Sequence, residues 1–268
     1  TESRFREVDF GDFELKSYEM LKDDPAYGRA AQARLSDYYP DSEPYFPKTV
    51  KGYMAEKFEE IVSIISQEKI AEGIYSLWLQ TEQIASHAKA GQFVSVYCND
   101  GSRLLPRPIS ICEINKEEKT LRLVYRVAGD GTAEFSKMKE GETLRILGPL
   151  GNGFPLGEKN AFLIGGGIGI PPMLQLAKEL NCEKQIVVGY RNDELFLADE
   201  LKEYGEVIVA TEDGSVGTKG NVIDAIKANN LEADMIMSCG PTPMLRGIKA
   251  YAEEKGIKAQ VSMEEKMA

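Results

Sequence analysis

LIGGGIGIPPM, residues 163–173, is the stretch whose reading decides the fold. A short apolar run ending at Leu163 and Ile164 stops at Gly165, Gly166 and Gly167, passes Gly169 and reaches Pro171 and Pro172. Glycine has no Cβ, so another molecule can approach its backbone closely. Proline suits the first turn of a helix, where the N–H groups have no intrahelical partner. A strand, a glycine turn and a helix N-terminus in succession offer free N–H groups and a positive dipole end to a pyrophosphate. Glycines alone would also fit a plain tight turn. The strand before them and the helix after them favour a nucleotide site. The spacing is not G-x-G-x-x-G, and a β-rich region precedes the turn, which points away from ordinary dehydrogenases.

Outward from this turn the chain alternates. FLIGG, QIVVGY, VIVAT, MIMSCG and AQVSM read as buried strands, and PPMLQLAKEL, ELFLADELKEYG, NVIDAIKAN and MLRGIKAYAEEKG as the helices between them. Strict β-α alternation with apolar strands predicts a doubly wound parallel sheet. Upstream, residues 58–147 hold short segments such as EEIVSIISQ, GIYSLWLQ, QFVSVYC, PISICEI, TLRLVYRV and ETLRILG. Short strands this closely spaced predict a small antiparallel barrel or sandwich, interrupted by a helix over 132–138. The glycine-rich GPLGNGFPLG, residues 148–157, is the natural hinge between the two. Residues 1–53 are polar and tyrosine-rich, with a helix expected over 27–39 and no motif; a docking arm or terminal extension is the reading there.

The chain has 268 residues, 43% hydrophobic and 28% charged, which suits one large or two ordinary globular domains with sizeable cores. A net charge of -11 argues against nucleic acid or an anionic membrane surface as the main partner. No apolar run approaches the roughly 20 residues of a membrane span, and no signal-like segment opens the sequence, so a cytoplasmic location is expected. The four cysteines, Cys98, Cys112, Cys182 and Cys239, are scattered, which disfavours a zinc or iron–sulfur site built from them and predicts no metal site in this chain. His87 is the single histidine, in a polar stretch read as a surface loop, so histidine triads and multi-histidine metal sites are excluded.

Two further elements can take anions. Arg107-Pro108-Ile109-Ser110 opens a strand with a guanidinium fork and a nearby hydroxyl. Gly129-Asp130-Gly131-Thr132 combines glycine, a hydroxyl and the start of a short helix. Together with the glycine turn they suggest two bound nucleotides.

In this order RPIS, VYR (residues 124–126), GDGT, GPLGNGF, LIGGGIGIPPM and SCGPTPML resemble the ferredoxin reductase superfamily. Within it, RPISI with GPLGNGF is most similar to the electron-transfer subunits of the two-flavin, NAD-dependent dihydroorotate dehydrogenase. The resemblance covers about residues 54–268. It implies a 54–156 FAD-binding β-barrel domain and a 157–268 NAD-binding α/β domain, after a 1–53 extension of unknown role. It also implies that Arg107, Pro108, Ile109 and Ser110 hold the FAD pyrophosphate and flavin edge. Val124, Tyr125 and Arg126 would line the flavin and ribityl chain, and Gly131 and Thr132 would hold an FAD phosphate. Gly165, Gly166, Gly167 and Gly169 would receive the nicotinamide dinucleotide. Glu212, Asp213 and Gly214 lie where its adenosine half would sit, and Cys239, Gly240 and Pro241 where nicotinamide meets flavin. Several of these have plainer readings: Tyr125 as a core aromatic, the 212–214 triplet as a solvated turn, Cys239 as a small buried residue, Arg126 as an exposed strand cation.

The activity implied is hydride transfer from NADH to FAD, with electrons passed on to an FMN-containing dihydroorotate dehydrogenase partner in pyrimidine biosynthesis. The cofactors carry that chemistry, and no general acid is needed. In the family, a run like SMEEKMA leads into a cysteine cluster holding a [2Fe–2S] centre, whose four thiolate ligands this sequence lacks beyond Ala268. Either the sequence is truncated, the favoured expectation, or the protein is a variant that hands electrons directly from flavin to an acceptor. A stand-alone NAD(P)H-flavin or ferredoxin reductase, and a non-catalytic nucleotide sensor, are the competing functions. Arg191 could meet the 2′-phosphate of NADPH, while Asp193 and Glu194 beside it would oppose that; the resemblance favours NADH. Arg107→Ala is expected to weaken FAD retention, and full flavin occupancy in the purified variant would count against the role given to Arg107.

Overall fold

The structure is a computed structural model, and it describes residues 56–99, 105–154, 156 and 160–262. The 1–53 extension with its expected 27–39 helix, Pro155 and Gly157 of the hinge, and all but the first residue of SMEEKMA lie outside the described residues. The described residues form one compact unit.

Six antiparallel strands, β1 (Phe58–Ala71), β2 (Ile74–Gln80), β3 (Phe93–Val96), β4 (Arg107–Asn115), β5 (Thr120–Arg126) and β6 (Thr143–Leu150), close into a barrel in the order β1-β2-β5-β4-β3-β6. Alternate side chains point inward. Leu77, Leu79, Ile111, Leu121, Leu123, Leu144 and Ile146 fill the interior and are fully buried. Two short helices sit at the barrel, α1 (Ile84–His87) and α2 (Asp130–Phe135). His87 therefore ends a helix rather than sitting in a loop, its ring against Phe58 and its Nδ1 2.8 Å from the Gln83 carbonyl. The helix expected over 132–138 is α2, which starts two residues earlier.

The second half is a parallel sheet of β7 (Ala161–Gly166), β8 (Lys184–Tyr190), β9 (Glu206–Thr211), β10 (Thr218–Lys219), β11 (Met235–Cys239) and β12 (Lys258–Ser262). The strand order is β10-β9-β8-β7-β11-β12, so the winding reverses between β7 and β11. Helices α3 (Pro171–Glu179) and α4 (Ala198–Lys202) pack on one face, α5 (Val222–Ala228) and α6 (Thr242–Lys255) on the other. The helix expected over ELFLADELKEYG shrinks to α4. Leu197 there adopts a left-handed backbone (φ 64°), which a continuous helix cannot contain.

Barrel and sheet share a core. One apolar cluster joins Ile74, Cys112 and Val124 of the barrel to Leu163, Ile170, Met173 and Leu176 of the sheet half. Helix α3 lies inside this seam and is buried from Pro171 to Ala177, which explains its lack of a polar face. Strand β5 is covered on both sides: Leu121, Leu123 and Tyr125 face the barrel interior, whereas Arg122 and Val124 face the sheet half. The register of β4 against β5 slips between Ile111 and Glu113. The Gln175 side chain from α3 covers the neighbouring backbone, accepting a hydrogen bond from the Ile114 amide at 2.8 Å and donating to Glu179 at 2.7 Å.

An orphaned buried amide costs about 1–3 kcal/mol. Gln175→Ala is expected to lower stability by about that amount, and urea unfolding checks it.

Candidate nucleotide-binding site

In open α/β sheets the crevice outside the carboxyl ends of the strands, where the winding reverses, receives the ligand. Here that place lies between the ends of β7 and β11. Gly166 ends β7 and Gly167–Gly169 form a 3₁₀ turn after it, while Cys239 ends β11 and Gly240 and Pro241 follow. Together they wall a cleft of about 320 Å³.

The glycines divide into two kinds. A Cβ on Gly169 would overlap the Cys239 carbonyl, one on Gly166 the Met244 sulfur, and one on Gly240 the Met244 methyl. Gly169 thus lets the β7 turn touch the end of β11, and Gly166 and Gly240 make room for Met244 of α6. Gly165 likewise lies under Ile170 and Met173. Gly167 differs: its backbone is left-handed (φ +52°) and nothing lies within 4 Å of where its Cβ would be. It is a bare backbone presented to open space. That is the geometry a dinucleotide needs for close approach, and the site's residues fit such a ligand.

Glu212, at the end of β9, lines the same cleft, and so does Arg191 after β8. Asp213 does not. Its carboxylate accepts from the Ser215 hydroxyl at 2.7 Å and the Ser215 amide at 2.9 Å, and these bonds hold its pKa below the usual carboxylate range. Gly214 forms the left-handed corner of that turn (φ +79°). The 212–214 triplet is thus half cleft wall and half local turn. Of the acidic neighbours of Arg191, Glu194 accepts from the Glu72 amide of the barrel at 3.0 Å and is committed there.

The barrel contributes Arg126, the last residue of β5, which is exposed and lines the cleft. The other two residues of VYR are differently placed. The Val124 side chain is buried in the seam, 2% exposed. Tyr125 points into the barrel, with its hydroxyl on the Gln67 side-chain oxygen at 2.8 Å and its ring against Tyr75 and Phe135. Burial, reinforced by Tyr75, raises its phenol pKa well above the ordinary value. Their side chains therefore do not line an open surface, and only their backbone could face a flavin; the alternation of β5 decides this.

The RPIS and GDGT elements come together. A Cβ on Gly131 would overlap the Arg107 guanidinium, so the arginine lies flat over that glycine. Arg107 also donates to the Leu105 carbonyl. Ile109 faces the barrel core, whereas Pro108 and the half-buried Ser110 lie on the outer face of β4. The Thr132 hydroxyl is engaged locally, accepting from the Ala128 amide at 2.9 Å and donating to the Gly129 carbonyl at 3.0 Å. A guanidinium held at the barrel rim over a glycine that leaves it room, beside the start of α2, suits an anionic cofactor.

Sequence reasoning missed Arg122, which is 5% exposed. It also missed Gly189, Tyr190, Gly220, Asn221 and Met244 of the cleft wall. The strand-end rule would have found those at β8; the others depend on where α5 and α6 begin. Among the described residues no three His, Cys, Asp or Glu side chains converge as a metal site, and no helix is long and apolar enough to cross a membrane. No thiolate set for an iron–sulfur cluster is present among them.

A closed six-stranded barrel joined to a switch-point cleft in a parallel sheet defines a ferredoxin-reductase-like oxidoreductase. The oxidoreductase NAD-binding domain family matches residues 163–250. The chain is 46% identical over 216 residues, 77% of its length and 84% of the relative's, to the dihydroorotate dehydrogenase B (NAD(+)) electron transfer subunit of Listeria monocytogenes serovar 1/2a. The corresponding subunit of Streptococcus pneumoniae is 41% identical over 218 residues, 78% of this chain and 84% of that one. Among solved structures, an NADH-dependent reduced ferredoxin-NADP oxidoreductase superposes with a TM-score of 0.71 at 31% identity, covering 78% of both chains. A Neisseria gonorrhoeae ferredoxin NADP+ reductase with bound FAD and NADP shares the fold, with a TM-score of 0.63 at 18% identity, over 78% of this chain and 100% of that one. The chain belongs to the family of dihydroorotate dehydrogenase B electron transfer subunits.

The two kinds of glycine make different predictions. Gly167→Val places a branched side chain in the cleft and strains the backbone by about 1–2 kcal/mol; it is expected to abolish reduction by NADH while FAD stays bound. Gly169→Ala forces two loops apart and is expected to cost about 1–3 kcal/mol of stability. Flavin content, NADH reduction kinetics and urea midpoints of the two variants check both.

Proposed function

We propose that the cleft at the ends of β7 and β11 binds NADH, that the barrel rim around Arg107, Ser110 and Arg126 binds FAD, and that hydride passes between them. The observation that carries this is the meeting of the two halves at one cleft: Arg126 of the barrel lines the same space as Gly167 and Cys239 of the sheet. FAD, when bound, would supply a hydride acceptor and a donor of single electrons. The chain's own residues bind and align. The bare backbone of Gly167 would receive the dinucleotide, Arg107 and Gly131 the FAD pyrophosphate with Ser110 at its edge, and Arg126 the region between the two cofactors. Thr132 would hold the turn around the phosphate, since its hydroxyl is engaged with backbone groups.

Glu212 supports a preference for NADH. A carboxylate in the cleft wall can accept hydrogen bonds from a ribose diol and repels a 2′-phosphate, although Arg191 lines the same wall. Family membership supports onward electron transfer to an FMN-containing dihydroorotate dehydrogenase subunit in a hetero-oligomer, through a [2Fe–2S] centre whose ligands are not among these residues. None of the four cysteines is disulfide-bonded, which accords with a reducing cytoplasm.

An anaerobic visible spectrum before and after one equivalent of NADH tests the reading. Bound flavin that bleaches is the expected result. Flavin that NADH leaves oxidised, or no flavin at all, would favour a non-catalytic nucleotide sensor. Sustained turnover of NADH with an external electron acceptor, needing no dihydroorotate dehydrogenase partner, would favour a stand-alone reductase.

A further inference from the structure

We propose that Arg122, acting through Glu200, is a positioning residue that sets the separation of the barrel and the sheet half, and so of the two cofactor sites. This rests on the reading of the cleft as the place of hydride transfer.

Arg122 lies on β5 and is 5% exposed. Its Nε donates to the Ser76 hydroxyl of β2 at 2.9 Å, and its Nη1 donates to Glu113 of β4 at 2.8 Å. Those two bonds anchor the guanidinium to the barrel. The rest of the fork crosses the seam: Nη1 donates to Glu200 Oε2 and Nη2 to Glu200 Oε1, the latter at 3.2 Å, on helix α4. The guanidinium also lies 5.7 Å from the centre of the Trp78 ring. Burial disfavours its charge, but Glu200 and then Glu113 hold it more firmly protonated than an ordinary arginine.

A buried ion pair is a poor source of net stability, because desolvation offsets much of the attraction, and apolar residues often serve as well. A two-pronged fork does provide fixed geometry. The seam around it is mostly apolar and imposes no direction of its own. Arg122, Val124 and Arg126 share one face of β5, and residues four apart on a strand are separated by about 13 Å. At the far end of this face Arg126 lines the cleft, and β5 abuts the Gly167–Gly169 turn. A fork fixed at one end of a stiff strand thus sets the strand's other end against the glycine turn. Misplacement by about 1 Å can cost a hydride-transfer geometry about a hundredfold.

The test uses the flavin-loaded full chain and Glu200→Gln, which changes the less buried partner and keeps the fold's packing. Flavin content and NAD+ affinity are expected to stay within about twofold, while the limiting rate of flavin reduction by NADH falls by about tenfold or more. The long-wavelength charge-transfer absorbance between nicotinamide and flavin is expected to weaken in parallel. In flavin-free protein, amide exchange over Ala198–Lys202 is expected to rise. Arg122→Lys, which keeps the charge but loses the fork, should reproduce the rate loss. A Glu200→Gln protein with wild-type limiting rate and wild-type charge-transfer absorbance overturns the proposal, as does a rate loss matched by equal loss of flavin or NAD+ binding. Wild-type flavin that NADH leaves oxidised overturns the hydride-transfer reading itself, and the positioning role with it.

Discussion

Strand β5 is buried on both faces, and the arrangement of the site depends on that. A strand at a barrel surface ordinarily turns one face to water. Here the outer face carries Arg122 and Val124 against the sheet half and ends in the exposed Arg126 at the cleft, while the inner face carries Leu121, Leu123 and Tyr125. Because side chains alternate, one strand can hold the barrel together and seat the sheet half on it at the same time. Helix α3 completes the seam. Buried from Pro171 to Ala177, it lies between the sheet that leads into it and the strand β4 that opens with Arg107.

The cleft depends on a second constraint, the approach of two strand ends. The turn after β7 reaches the end of β11 because Gly169 carries no side chain, and Gly166 and Gly240 make room for the Met244 side chain of α6. Their absent Cβ atoms make room for protein, and that of Gly167 leaves open space. A run of glycines that looks uniform in sequence thus divides into residues packed against protein and one, Gly167, that faces open space.

The polar residues divide in the same way. Thr132, Asp213 and Glu194 each have a chemistry that suits a nucleotide, and each is engaged by neighbouring backbone or hydroxyl groups. Glu212, Arg191 and Arg126 line the cleft. Residue type narrows the candidates, and hydrogen-bond partners choose among them.

Much of this protein was legible in its sequence for a local reason. The period of apolar residues shows strands and helices, and a strand running into glycines and then proline marks a nucleotide turn wherever it occurs. The β-then-α/β order, the glycine turn and the ordered motifs of the family all belong to this class. What only the tertiary structure decided is non-local. Val124 and Tyr125 look alike as apolar strand residues, and only the barrel's closure and the docking of the sheet send one into the seam and the other into the core. Nothing in the sequence singles out Arg122, and the carboxylates that pair with it come from Glu113, nine residues away, and Glu200, seventy-eight residues away. No window along the chain contains that pairing, because it exists only once two separately patterned halves have closed on each other.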